Sequence, residues 1–152
     1  MATRVLTACA GFLFAVLWFD LMFDVQVIGQ SAQEPLPAPA LASISSYYRR
    51  VTTDASPMGH LVGAVMLIGV VASLVQARQR EGGFLRRVIP VILIAAPAAL
   101  ALGRVLPDAV RLGAASDPAP IQSELARAIL LGHLACLASI TGLLLLQLRR
   151  ID

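Results

Sequence analysis

The sequence predicts an all-α integral membrane protein. We expect a single domain over residues 1–152, a bundle of four transmembrane helices with a short amphipathic surface helix in the first outer connector. Three observations carry that expectation. Of all residues, 58% are apolar and only 14% charged, against roughly 25% charged in an ordinary soluble domain. The apolar residues gather into four runs, at about 5–28, 59–77, 88–105 and 128–148. A helix needs roughly 20 residues to cross about 30 Å of hydrocarbon. None of the runs has the regularly charged outer face that a helix in a water-soluble bundle carries. A mean hydropathy of +0.80 also excludes a disordered tail, a disulfide scaffold and most soluble enzymes.

The first run starts behind one cation, Arg4. Leu6-Thr7-Ala8-Cys9 looks like a lipoprotein cleavage box, but no apolar stretch precedes Cys9 and the run continues past Leu17, so a retained helix is expected. Cys9 and Cys136 lie inside apolar runs with no metal-ligand spacing and read as packing residues. The connector 29–58 opens with Glu34, Pro35, Pro37 and Pro39; Leu41, Ile44, Tyr48 and Val51 then recur at helical spacing. That pattern predicts an amphipathic helix over 40–51, lying on the membrane surface with Tyr47 and Tyr48 as ring anchors and covering the bundle as a lid.

Gly59 and Gly63 form a GxxxG in the second run, with Gly69 and Ser73 further in, and small residues recur in the third (Ala95, Ala96, Ala98, Ala99, Ala101, Gly103) and fourth (Gly132, Cys136, Ser139, Gly142). Such faces let helices pack closely in lipid, against each other, a second copy or a membrane-protein partner. The third run holds Pro90 and Pro97 and is expected to continue as helix past Arg104, kinked near Pro97 or Pro107. Beyond it, Arg104, Asp108 and Arg111 are spaced to pair on one helical face. Asp117-Pro118 reads as the cap of a long fourth helix.

All twelve cations are arginine, and they cluster at the ends of the runs. Despite the net charge of +3, this is the pattern of membrane orientation and not of a nucleic-acid partner. Seven arginines (4, 78, 80, 86, 87, 149 and 150) fall on one side, and five (49, 50, 104, 111 and 127) on the other. The positive-inside rule then predicts a multi-pass protein of the inner (plasma) membrane with both termini cytoplasmic.

Depth singles out the candidate site. Counting from Arg4 to Asp20 gives 16 residues, from Arg78 back to His60 18, from Arg87 to Arg104 17, and from Arg149 back to His133 16. All four helices therefore place an ionisable group in one layer near the outer edge of the hydrocarbon. Asp24 lies one turn beyond Asp20 on the same face; Asp108 and Arg127 sit just above. A carboxylate in hydrocarbon costs about 2.5–3.5 kcal/mol, so Asp20 is expected to face Arg104 or His60. The candidate ligand-binding residues are Asp20, Asp24, His60, Arg104, Asp108, Arg127 and His133.

Such a layer suits a proton, a cation or a small polar or amphiphilic molecule. Its histidines and carboxylates (His60, His133, Asp20, Asp24) are also the candidates for a divalent metal. His60 and His133 alternatively make a candidate pair of axial ligands for haem b, in a membrane oxidoreductase. A further reading is a non-catalytic subunit or assembly factor of a larger membrane complex. No P-loop, dinucleotide-binding glycine pattern or G-x-S-x-G is present, so no reaction is assigned.

Overall fold

The computed structural model describes residues 1–79 and 83–149. Arg80 and Arg150, two of the seven arginines on the predicted cytoplasmic side, lie outside the described residues, as do Glu81 and Gly82 of the connector between the second and third runs. Every element among the described residues is helical: α1 (Ala2–Asp24), α2 (Ala38–Arg49), α3 (Ser56–Gln79), α4 (Phe84–Leu100), α5 (Leu106–Ala114) and α6 (Ala119–Leu148). Four helical stretches are long and apolar enough to cross a membrane: Ala2–Val27, Pro57–Gln79, Phe84–Ala114 and Ala119–Leu148.

Proline sets several of the boundaries. Pro39, Pro107 and Pro120 occupy the second position of α2, α5 and α6, where the missing N–H would have had no helical partner anyway. The third run stays helical past Arg104, through a wide turn at Ala101–Val105 in which the Leu106 N–H reaches back five residues to the Ala101 carbonyl. Pro107 has no N–H to return to Gly103, and the widened turn just before it accommodates the defect. A second wide turn, Arg50–Asp54, joins α2 to α3. Asp117 does not cap α6. Its carboxylate instead accepts from Arg111 Nε at 2.7 Å and Nη2 at 2.9 Å, so the main partner of Arg111 is Asp117, with Asp108 of the expected face a lesser one.

The long helices form a ring in which α1 and α4 each pack against α3 and α6. Two apolar clusters fill it. One joins Leu6, Ala10 and Leu13 of α1 to Ala72, Ile94, Ile140 and Leu143. The other joins Leu21 and Val27 to Leu41, Ile44 and Tyr48 of α2, Ala109 and Leu112 of α5, and Leu125, Ala126, Ile129 and Leu130 of α6. Helix α2 therefore does not stand apart from the bundle: its inner face is part of this second core. At the opposite end Gln76 and Gln147, both buried, exchange amide hydrogen bonds at 2.9 and 3.3 Å, and Gln76 Nε2 also donates to Thr3 Oγ1 at 2.9 Å.

The glycines that permit close packing are not the GxxxG pair. A Cβ on Gly59 or Gly63 would meet nothing within 4 Å, whereas one on Gly69 would collide with Ile94 and one on Gly132 would lie 2.5 Å from Val105 Cγ2. Gly113 is the tightest in consequence: its Cβ would sit 2.7 Å from the Arg49 nitrogen and 3.0 Å from the Tyr48 carbonyl carbon. These are backbone atoms of α2, which cannot swing aside. Overpacking costs about 1–3 kcal/mol, more than the roughly 0.5–1 kcal/mol that a helical Gly→Ala change returns. Gly113→Ala is expected to lower the thermal unfolding midpoint of the purified protein, and Gly59→Ala to leave it unchanged or raise it.

Candidate functional site

The two apolar clusters meet at a polar junction. On α1, Asp20 and Asp24 lie between Leu13 of one cluster and Val27 of the other; on α6, His133 lies between Leu130 and Ile140. Residues four apart on a helix share a face, so α1 presents both carboxylates to its neighbour α6. His133 Nδ1 stands 2.6 Å from Asp24 Oδ2, and its Nε2 3.8 Å from Asp20 Oδ2. One imidazole thus spans two carboxylates, with a hydrogen bond on one side and a 3.8 Å approach on the other.

Helix α2 completes the arrangement. Tyr48 donates its hydroxyl to Asp24 Oδ1 at 2.5 Å, and Tyr47 donates to Asp20 Oδ1 at 2.5 Å. Both distances are those of charge-assisted bonds. Burial pushes both phenols above their ordinary range, and Asp20 beside Tyr47 and Asp24 beside Tyr48 push them further. The two hydroxyls therefore stay protonated and can serve as donors. Phe23 holds the Tyr47 ring in a parallel stack, with centroids 3.9 Å apart and planes at 10°. Gln26 ties the end of α1 to α2 through Ser43 Oγ at 3.2 Å.

Burial differs across the cluster. Asp24 is 0% exposed and His133 6%, while 16% of the Asp20 side chain is open. An ionised carboxylate only accepts, so facing an ionised Asp24 the Nδ1 of His133 is the donor of this bond. Among the described residues, no buried side-chain nitrogen or oxygen lacks a hydrogen-bond partner.

The other candidates lie elsewhere. Arg104 is exposed. With Asp108, Leu100, Val105, Ala128, Leu131 and Gly132 it lines a separate open cleft of about 490 Å³ between α6 and the α4–α5 segment. Arg127 holds the connector after α1, its Nη2 donating to the carbonyls of Ser31 at 2.6 Å and Glu34 at 2.7 Å. His60 is exposed near the start of α3. Asp20 therefore faces Tyr47 and His133, not Arg104 or His60. A residue count along each helix sets height but not rotation. The ring of helices puts α4 across from α1, so Arg104, at the right height in the wide turn that continues α4, is not next to Asp20.

The haem expectation does not fit this geometry. Both nitrogens of His133 face carboxylates, leaving none directed at an iron, and His60 stands on the exposed side of α3. For a metal, no group of three or more His, Cys, Asp or Glu among the described residues has a geometry that could hold one. Spacing alone did not reveal the part played by Tyr47 and Tyr48. Their rings fit the apolar stripe of α2, and the hydroxyls at their tips leave no trace in a hydropathy pattern.

Removing a donor from a buried carboxylate costs about 1–3 kcal/mol. Tyr48→Phe should lose that much stability in equilibrium unfolding. Tyr47→Phe should lose less, because the Asp20 side chain is partly exposed.

Comparison with protein families, curated proteins and solved structures finds no match, so the functional reading rests on this geometry.

Proposed function

We propose that the chain is a multi-pass inner-membrane protein whose polar junction, near the outer face, binds a proton. The observation that carries this reading is one imidazole placed between two carboxylates, hydrogen-bonded to the buried Asp24 and 3.8 Å from Asp20. With Asp20 and Asp24 ionised and His133 neutral the cluster has a charge of −2. One proton on the imidazole leaves −1, and a second on a carboxyl brings it to zero. In surroundings of low dielectric, uncompensated charge is expensive, so proton uptake is the natural response of this site. A proton also adds no volume. A small cation or a polar or amphiphilic molecule would instead have to displace one of the partners already in place.

The arginine count supports an orientation with both termini cytoplasmic and α2 outside. In that orientation α2 lies at the membrane–water boundary, with Leu41, Ile44 and Tyr48 turned into the bundle. Reporter fusions after residue 152 and after Gly82 should then report cytoplasm, and one at Ala38 the outside. A periplasmic signal at Gly82 would reverse the orientation and move the site to the inner face. Proton binding is tested by titrating the purified protein in a lipid nanodisc while following carboxyl C=O absorption. A band of protonated carboxyl that appears on acidification, and that is missing in Asp24→Asn, is expected.

A second reading, the subunit or assembly factor, draws on Gly59 and Gly63. Their open surroundings leave a flat strip on α3 of the kind that membrane helices use for close association. A stoichiometric membrane-protein partner that is retained through purification, and lost on Gly63→Leu, would favour it.

A further inference from the structure

We infer that the polar junction is a proton store with a single mouth: Asp20 admits the proton, His133 passes it on, and Asp24 holds it. The inference rests on the proton-binding reading above and adds a route and a direction to it. Exposure supplies the direction. Of the two carboxylates only Asp20 is open, over 16% of its side chain, while Asp24 is sealed at 0% beneath Tyr48 at 2%. The ring of His133 lies between them, with one nitrogen toward each.

The transfer balances. A proton from water bonds to Asp20 Oδ2. That O–H bond breaks as an N–H bond forms at His133 Nε2. The Nδ1–H bond then breaks as an O–H bond forms at Asp24 Oδ2. Asp20 is again a carboxylate, Asp24 is a carboxylic acid that donates back to Nδ1, and the imidazole now carries its proton on Nε2. The first step must close the 3.8 Å gap at Asp20, by a small side-chain movement or through one bridging water. The second step already has hydrogen-bond geometry at 2.6 Å.

Two features argue for a store over a conduit. The ring ends in the opposite tautomer, so onward transport would require it to flip before each new cycle. Emptying by the same route restores the starting tautomer without a flip, which suits a buried ring held at Nδ1 by Asp24. Beyond the site, toward the Gln76–Gln147 pair, the bundle is filled mainly by Leu6, Leu13, Ile94, Ile140 and Leu143, and the hydroxyls of Ser73 and Thr141 and the thiol of Cys136 there each donate to a backbone carbonyl.

The charged and titratable groups around the ring are few; on α6 itself the buried thiol of Cys136, three residues from His133, donates to the Pro97 carbonyl. α1 contributes Asp20 and Asp24, and α2 contributes Tyr47 and Tyr48, with Arg49 and Arg50 exposed. From α3, His60 is exposed. Arg104 and Asp108 line the separate cleft, Arg111 is paired with Asp117, and Arg127 is held by the connector carbonyls.

The test is a rapid pH step on the full-length protein in nanodiscs, with time-resolved infrared detection of the Asp24 carboxyl band. That band is assigned by its loss in Asp24→Asn. In Asp20→Asn, which keeps the shape of the side chain and an acceptor for Tyr47, the Asp24 band should reach its wild-type amplitude but roughly tenfold or more slowly. Asp20→Glu should restore the rate. An Asp24 band that follows the step at the wild-type rate in Asp20→Asn would overturn the entry route. Asp24-dependent proton flux across sealed proteoliposomes under a potassium diffusion potential would overturn the single mouth. If no carboxyl band of the wild-type protein responds to pH at all, the proton-binding reading itself fails.

Discussion

Asp24 sits fully buried in a helix that is otherwise almost entirely apolar, and the arrangement of the α2 end follows from the need to satisfy that carboxylate. A buried carboxylate without partners would be neutralised or would open the structure. Here one oxygen receives Tyr48 and the other His133. Neither partner lies near Asp24 in sequence, so satisfying this one group fixes where α2 and α6 stand relative to α1. The closeness that Tyr48 requires is made possible by Gly113, whose missing side chain leaves room for the backbone of α2 at Tyr48 and Arg49. Arg127 and Ser123, both from α6, then secure the connector leading into α2 through the Ser31 and Glu34 carbonyls and the Leu36 N–H.

The same logic explains why the polar groups lie where two apolar cores meet. Were the carboxylates surrounded by the Leu13–Ile94–Ile140 cluster, no element could bring hydroxyl donors to them. At the edge of that cluster, a short helix can fold over and supply two. In the orientation proposed above, this edge also lies where the chain leaves hydrocarbon for water. Asp20 stays partly exposed there, and Asp24 one turn away does not. A difference of one helical turn thus separates a partly exposed carboxylate from a sealed one.

Much of the architecture was legible in the sequence, because long apolar runs and their lengths follow directly from the solvent a helix must match. Four long apolar helices and a helix after the proline-rich connector were read that way. Counting depth brought out Asp20, Asp24 and His133. It also brought out His60 and Arg104, which the structure places away from them, because rotation about each helix axis is decided by packing that no residue count contains. The wide turn at Ala101–Val105 adds to this by changing the facing of every residue after it. Arg111 and Asp117 were misread for a related reason: as an arginine on one face and as a cap, each had a plausible local role, and their mutual ion pair outweighs both.

The central claim is that Asp24 and His133 are energetically one unit. A double-mutant cycle of Asp24→Leu and His133→Leu, read by equilibrium unfolding, tests it most directly. Each single change removes a partner from a buried pair and should cost about 3–5 kcal/mol. The double variant should be more stable than the sum of the two losses predicts, with a coupling energy of about 1 kcal/mol or more. Strict additivity, with each loss unaffected by the presence of the other residue, would contradict the account.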